Sequence, residues 1–257
     1  MTANSLLADL KAAGLTVVEE DGWKTRGGVG DWHGGKPEGV MQHHTAPPNP
    51  YPIKGLYRDG KIKANMGTHE DGTLYLIAYR RCNYSSGPGS STVLNRNVRA
   101  GNPPKANARE RGLKDDMGGN RHFWNYENSH PGDGSDLPEA QLKTIVVSNI
   151  VVNNHFGLSY KNIISHAEWS RRKIDPRWNG GNRNAINQIR ELVAEGEEME
   201  EKGPNGEPNW QDVSSWAKNS WTWAWTRDDK ILSDTSHPKD IIDKEQLMVH
   251  MKRLTGE

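Results

Sequence analysis

The 257 residues include one cysteine, Cys82. No internal disulfide can form, so the fold owes nothing to an oxidising compartment. Apolar residues are scarce as well: hydrophobic types make up 33% of the chain and mean hydropathy is −0.89. The core must therefore be lean, although ten tryptophans offset part of the shortage because each buries a large apolar area. Long apolar runs are missing; TIVVSNIVV at 144–152 is far too short to span a bilayer. Net charge is missing too, since 33 Lys and Arg balance 33 Asp and Glu. That argues against a general nucleic-acid binder, whose phosphate contacts need a basic face, and leaves only local clusters open. The opening MTANSLLADLKAAGLTVVEE has no basic segment, and Asp9 and Lys11 interrupt its apolar residues. It does not have the form of a secretory signal, and a cytoplasmic product is expected.

Segments that can order themselves are nonetheless plain. SLLADLKAA (5–13) has helical spacing with Gly14 placed to stop it. EGVMQHHTA (38–46) predicts a strand running into a loop at Pro47, DGTLYLIAY (71–79) a turn and strand, and RHFWNYE (121–127) another strand. Residues 85–120, rich in Gly, Ser, Asn, Pro and Arg, predict a long functional or mobile loop. DLPEAQLKTIVVSNIVVNNHFG (136–157) is apolar on more than one side and predicts a helix buried against a sheet. Asp136 and Glu139 have capping-box spacing at its start, and Gly157 closes it. KNIIS (161–165) predicts a short strand, and RNAINQIRELVAEG (183–196) an amphipathic helix with Ile186, Ile189, Arg190 and Val193 near one face. The charge run EGEEMEEKGPNGEPN (195–209) predicts a linker. The expected organisation is a main domain at 1–196, a linker at 197–210 and a small helical module at 211–257.

Zinc takes three or four N, S or O ligands, and a catalytic site leaves one position open for water. His43 and His166, each at the end of a predicted strand, and Asp175 in the loop after the second could supply such a set. Each also has an ordinary explanation: a lone histidine is usually structural or on the surface, and Asp before Pro176 is a common turn.

Four motifs in order sharpen this: GVMQHHTAPP (39–48), GTLYLIAY (72–79), FWNYENSHPGDG (123–134) and ISHAEWSRRKIDPRW (164–178). Together they resemble the type 2 N-acetylmuramoyl-L-alanine amidases, the zinc amidase family that includes phage endolysins and peptidoglycan-recognition proteins. The resemblance covers about residues 5–195 and implies a mixed central β-sheet flanked by helices. It implies zinc as cofactor, held by His43, His166 and Asp175. Lys173 matches the lysine that stabilises the tetrahedral intermediate, and Glu127 the strand glutamate that transfers protons, although Asn125-Tyr126 stands where the family usually has Gly-Ile. Tyr84, in NYSSGPG, and His44 are placed at the substrate groove. No tyrosine occurs in KANMGTHEDG (63–72), where some phage amidases carry one. His69 there is expected to be a turn residue, and His122 and His130 receive no role.

The implied reaction is zinc-dependent hydrolysis of the amide between N-acetylmuramic acid and L-alanine in bacterial peptidoglycan. The expected role is that of an endolysin, a monomer accumulating in the host cytoplasm and reaching the wall after membrane permeabilisation. Neither nucleic acid nor membrane is an expected partner. The alternative is a peptidoglycan-binding protein on the same scaffold that has lost its chemistry. Residues 212–254 are similar to one S-layer-homology repeat, with Trp216 and Trp223 on its inner face and Trp221 and Trp225 free for a wall contact.

Overall fold

A computed structural model describes residues 1–47 and 50–202, with the side chains of 199–202 left aside. They belong to the first of two units, Met1–Ser220. The module expected at 211–257, with its four tryptophans, lies outside the described residues.

In chain order the elements are α1 (Ala3–Ala12), β1 (Val17–Glu19), β2 (Gly39–His44), β3 (Met66–Thr68), β4 (Leu74–Leu76) and β5 (Pro88–Gly89). Then come α2 (Ser91–Val93), which runs on into a π turn at Leu94–Val98, β6 (Met117–Gly118), β7 (Phe123–Asn128) and α3 (Glu139–Phe156). β8 (Ile163–Ser165), α4 (His166–Trp169) and α5 (Asn182–Lys202) complete the fold. Six strands form one mixed sheet in the order β1-β4-β3-β7-β2-β8, antiparallel only between β3 and β4. β5 and β6 pair separately. No helix among the described residues is long and apolar enough to cross a membrane.

Period-two alternation sends the side chains of β2 and β7 to two different layers. Gln42 and Tyr126 point to α3, where Gln42 Nε2 donates to Asn149 Oδ1 at 2.9 Å and the Tyr126 hydroxyl pairs with Ser148 Oγ at 2.6 Å. Met41, Phe123 and Ile164 point the other way and pack with Val93, Leu94, Val98 and Trp169. The 85–120 stretch expected as a loop thus supplies the layer that covers the second sheet face. Its few apolar residues gather in α2 and the π turn, where Val93, Leu94 and Val98 make that contact. Glycine makes the approach possible: a Cβ on Gly89 would come within 2.3 Å of the Trp169 ring.

α3 is the expected buried helix, and Gly157 closes it in the left-handed conformation at φ 65°. Its start differs from the capping box expected of Asp136 and Glu139. Pro138 is the N-cap, with no side-chain hydrogen bond, so Asp136 lies two residues too early to cap. α5 also departs from expectation, because it continues through the 197–202 stretch expected as linker. Its glutamates are good helix formers. Glu197 also anchors the turn, accepting from Asn153 Nδ2 at 2.9 Å and from the Tyr160 amide at 3.0 Å.

Candidate metal centre

The carboxyl ends of parallel strands open a crevice where α/β proteins place their chemistry. His43 stands near the end of β2 beside Glu127 of β7, its partner in register, and His166 is the first residue after β8. Alternation puts His43, Asn125 and Glu127 on one face. The loop after α4 returns Asp175 to the same spot. There the Asp175 carbonyl accepts from the Ala167 amide at 2.9 Å, and the Pro176 carbonyl accepts from Asn182 Nδ2 at 2.8 Å.

The three sequence-predicted ligands converge. His43 Nδ1 lies 3.0 Å and His166 Nδ1 3.1 Å from the same oxygen, Asp175 Oδ2, and the rings cross at 78° with centroids 4.5 Å apart. Around tetrahedral zinc with bonds of about 2.0–2.1 Å, neighbouring ligand atoms stand about 3.3–3.4 Å apart, close to this spacing.

The outer nitrogens decide what the cluster needs. His43 Nε2 faces Asn125 Oδ1 at 3.1 Å, and His166 Nε2 faces the Ser86 carbonyl at 3.2 Å. The Asn125 amide cannot be turned round, because its Nδ2 donates to the Phe123 carbonyl at 2.7 Å. Each ring therefore sits between two acceptors. Burial and the neighbouring His43 charge push the His166 pKa down to about 4, so at neutral pH it carries one proton for two acceptors. With that proton on Nε2, a lone pair faces a carboxylate, a contact that a cation makes favourable. Burial opposes charging His43 as well, but the Asp175 hydrogen bond and the Glu127 and Asp175 charges outweigh it and raise its pKa. Asp175 is itself buried, yet the two histidines hold its carboxyl well below the usual range. Two imidazoles and a carboxylate in this arrangement can hold a metal ion.

Glu127 contributes something different. Its Oε2 is buried with no hydrogen-bond partner, and desolvation pushes its pKa up to about 7 despite the nearby His43 and Lys173 charges. Lys173 is exposed on the loop between His166 and Asp175, and its charge acts on both Glu127 and His166. His44 is half-buried; its Nδ1 accepts from the Arg177 amide at 3.0 Å, and a Cβ on Gly132 would come within 2.3 Å of its Nε2. It thus braces the two loops bordering the centre. Tyr84 is 59% exposed, two residues before Ser86, with the Lys61 ammonium 4.9 Å from its ring centroid.

His69 and His130 hold structure. His69 Nε2 meets the Tyr51 carbonyl at 2.9 Å, and His130 Nδ1 accepts from the Gly132 amide at 3.0 Å. His122 belongs to a second cluster that the sequence did not reveal. Its Nδ1 and that of His33 lie 2.8 and 3.0 Å from Glu38 Oε1, and Arg99 pairs with both oxygens of that carboxylate. Here the ring protons can sit on Nδ1 and the guanidinium balances the charge, so hydrogen bonds alone close the cluster. Burial would raise the Glu38 pKa, but Arg99 and His122 outweigh it and bring it from 4.5 to about 2. A depressed carboxyl stabilises the fold above its unfolded pKa, and the contribution is lost as pH falls from about 4.5 toward about 2. After discounting for the half-open Arg99, Glu38→Gln should remove about 2 kcal/mol of unfolding free energy at pH 7. In denaturant titrations the gap between the two chains should shrink, without closing, from pH 7 to pH 2.5; an equal gap at both would refute the linkage to Glu38.

No family model matches the sequence, and no curated protein matches it. Among solved structures, similar ones are amidases and endolysins. The endolysin N-acetylmuramoyl-L-alanine amidase LysCS of Clostridium intestinale URNW is 12% identical, over 69% of this chain and 95% of its own, with a TM-score of 0.43. An AmpD derivative is 15% identical over 70% of this chain and 94% of its own, TM-score 0.43. A mutant endolysin from Bacillus subtilis is 14% identical over 70% and 97%, TM-score 0.41. Likenesses this distant carry no argument about the chemistry of this chain, which rests on its own side chains.

Proposed function

We propose that this chain is a zinc-dependent amidohydrolase that cuts the amide between N-acetylmuramic acid and L-alanine in bacterial peptidoglycan, and that it serves as a phage endolysin. One observation carries the hydrolase reading: two histidines whose outer nitrogens are tied to fixed acceptors converge with Asp175 beside Glu127, whose Oε2 is buried without a partner. The identity of the bond comes from the resemblance of the four sequence motifs.

His43, His166 and Asp175 would hold the zinc, which when bound supplies a Lewis acid for the amide carbonyl and for ionising water near neutral pH. Glu127 Oε2, with a pKa of about 7, accepts one proton from the attacking water and returns it to the departing amine. The C–O bond forms first and the C–N bond breaks as the tetrahedral adduct collapses. This leaves a lactyl carboxylate and the ammonium of L-alanine, because the second proton of the water passes from the new carboxyl group to the amine. Lys173 faces the negative charge that develops on the carbonyl oxygen.

Purified walls digested by the chain, with and without a strong chelator, test this. New L-alanine amino termini should appear with metal, vanish with chelator and return when zinc is restored. New reducing sugar ends in their place would overturn the assignment of the bond, and chelator-insensitive cleavage would overturn the metal.

A further inference from the structure

Ser86 reaches both proposed histidine ligands, His166 directly and His43 through Asn125. Its carbonyl faces His166 Nε2 at 3.2 Å, and its hydroxyl donates at 2.6 Å to the same Asn125 Oδ1 that faces His43 Nε2 at 3.1 Å. Both residues are fully buried. Asn125 is pinned from the opposite side, where its amide donates to Asn65 Oδ1 at 2.9 Å. Asn65 is in turn held by the Ala78 and Arg80 carbonyls at 2.8 and 2.9 Å.

The loop that carries Ser86 is locked by contacts unrelated to the ligands. The Ser85 amide donates to Asn120 Oδ1 at 3.2 Å, the Gly119 amide to the Gly87 carbonyl at 2.7 Å and the Ser90 amide to the Trp169 carbonyl at 2.9 Å. Gly119 lies so close that a Cβ there would come within 2.6 Å of Ser86 Cβ.

We infer that Ser86 and Asn125 are positioning residues that hold both rings in the Nε2–H tautomer, leaving both Nδ1 lone pairs aimed at one point. This rests on reading His43, His166 and Asp175 as a ligand set. A hydrogen-bonded partner on the outer nitrogen fixes ring orientation and raises ligand basicity, and losing it typically weakens metal binding about 10- to 100-fold. The two arms of the bridge are chemically unequal. His166 is held by a backbone carbonyl that no substitution at Ser86 or Asn125 deletes, whereas His43 depends on the Asn125 side chain.

Nitrogen-15 spectra of the imidazoles in the metal-free chain, with zinc affinity measured by competition against a chromophoric chelator, test the inference without relying on activity. At alkaline pH, where both rings are neutral, wild type should show both as Nε2–H. Asn125→Leu should lose that preference at His43, keep it at His166 and bind zinc about 10- to 100-fold more weakly. Ser86→Ala, which keeps the carbonyl, should have a smaller effect in the same direction, and Ser86→Thr should restore wild-type behaviour. General loosening of the fold would disturb both rings alike in Asn125→Leu and would overturn the specific role. Unchanged tautomers and affinity in both variants would overturn it too, while leaving the ligand set intact. A wild-type chain that binds no zinc would instead overturn the ligand set, and this inference with it.

Discussion

Glu127→Gln retains zinc and loses amide hydrolysis by about two to four orders of magnitude, the usual range for removing a positioned proton-transfer group. Glutamine keeps the size of the side chain but cannot take a proton. Metal content should stay at wild-type level because the three converging ligands are elsewhere. The native carboxyl is costly where it stands: Oε2 is buried without a partner, and burial lifts its pKa to about 7. A neutral side chain relieves that cost, so the variant should unfold at the same denaturant concentration or a higher one. Zinc content, turnover on a muramyl-peptide amide and an unfolding curve give the three readouts. Turnover within a few-fold of wild type would show that the proton moves through another group.

Arg190→Met destabilises the fold by about 3–5 kcal/mol, because it leaves a buried carboxylate without its cation. Arg190 and Glu168 form a two-pronged ion pair, Nη1 to Oε1 at 3.0 Å and Nη2 to Oε2 at 2.7 Å, with side chains 8% and 4% exposed. Arg190 Nε also donates to the Ile163 carbonyl at 2.9 Å, and Glu168 Oε2 accepts from the Ser165 amide at 2.9 Å. The pair thus ties α5 to β8 and to α4, the one-turn helix whose first residue is His166. Loss of the cation should therefore weaken zinc binding as well. The double variant Glu168→Gln/Arg190→Met should recover part of the loss, since no bare charge remains. Urea denaturation measures both; a single-variant cost below about 1 kcal/mol would mean the pair is open to water.

Glu168 has no function legible in the linear chain. It lies between His166 and Lys173 among charged residues, and charge alone assigns nothing. Its partner is 22 positions away on another helix. Arg190 gave a faint signal, because it falls on the apolar face of its helix with Ile186, Ile189 and Val193, all of them buried. An arginine on such a face needs a buried anion, but only folding shows which one. The 85–120 stretch misled for the opposite reason. Its residues show no long periodicity, yet Val93, Leu94 and Val98 pack over the second sheet face while Gly89 and Gly119 allow close approach to Trp169, which is a property of shape rather than of pattern.

The sequence by itself determined the strands ending at the two histidines, the buried helix α3 with its glycine stop, and the candidate set His43, His166, Asp175, Glu127 and Lys173. The strands, the helix and the trio His43, His166 and Asp175 follow from local periodicity and from residue types whose chemistry is scarce, whereas Glu127 and Lys173 follow from the resemblance of the four motifs. The tertiary structure decided that the three ligand atoms meet, that Glu127 Oε2 is left without a partner, and that Ser86 and Asn125 stand behind the rings. Serine and asparagine are too common to announce a role by type. What marks them is which nitrogen they face, and that exists only once β2, β7, β8 and the loop before α2 are brought side by side.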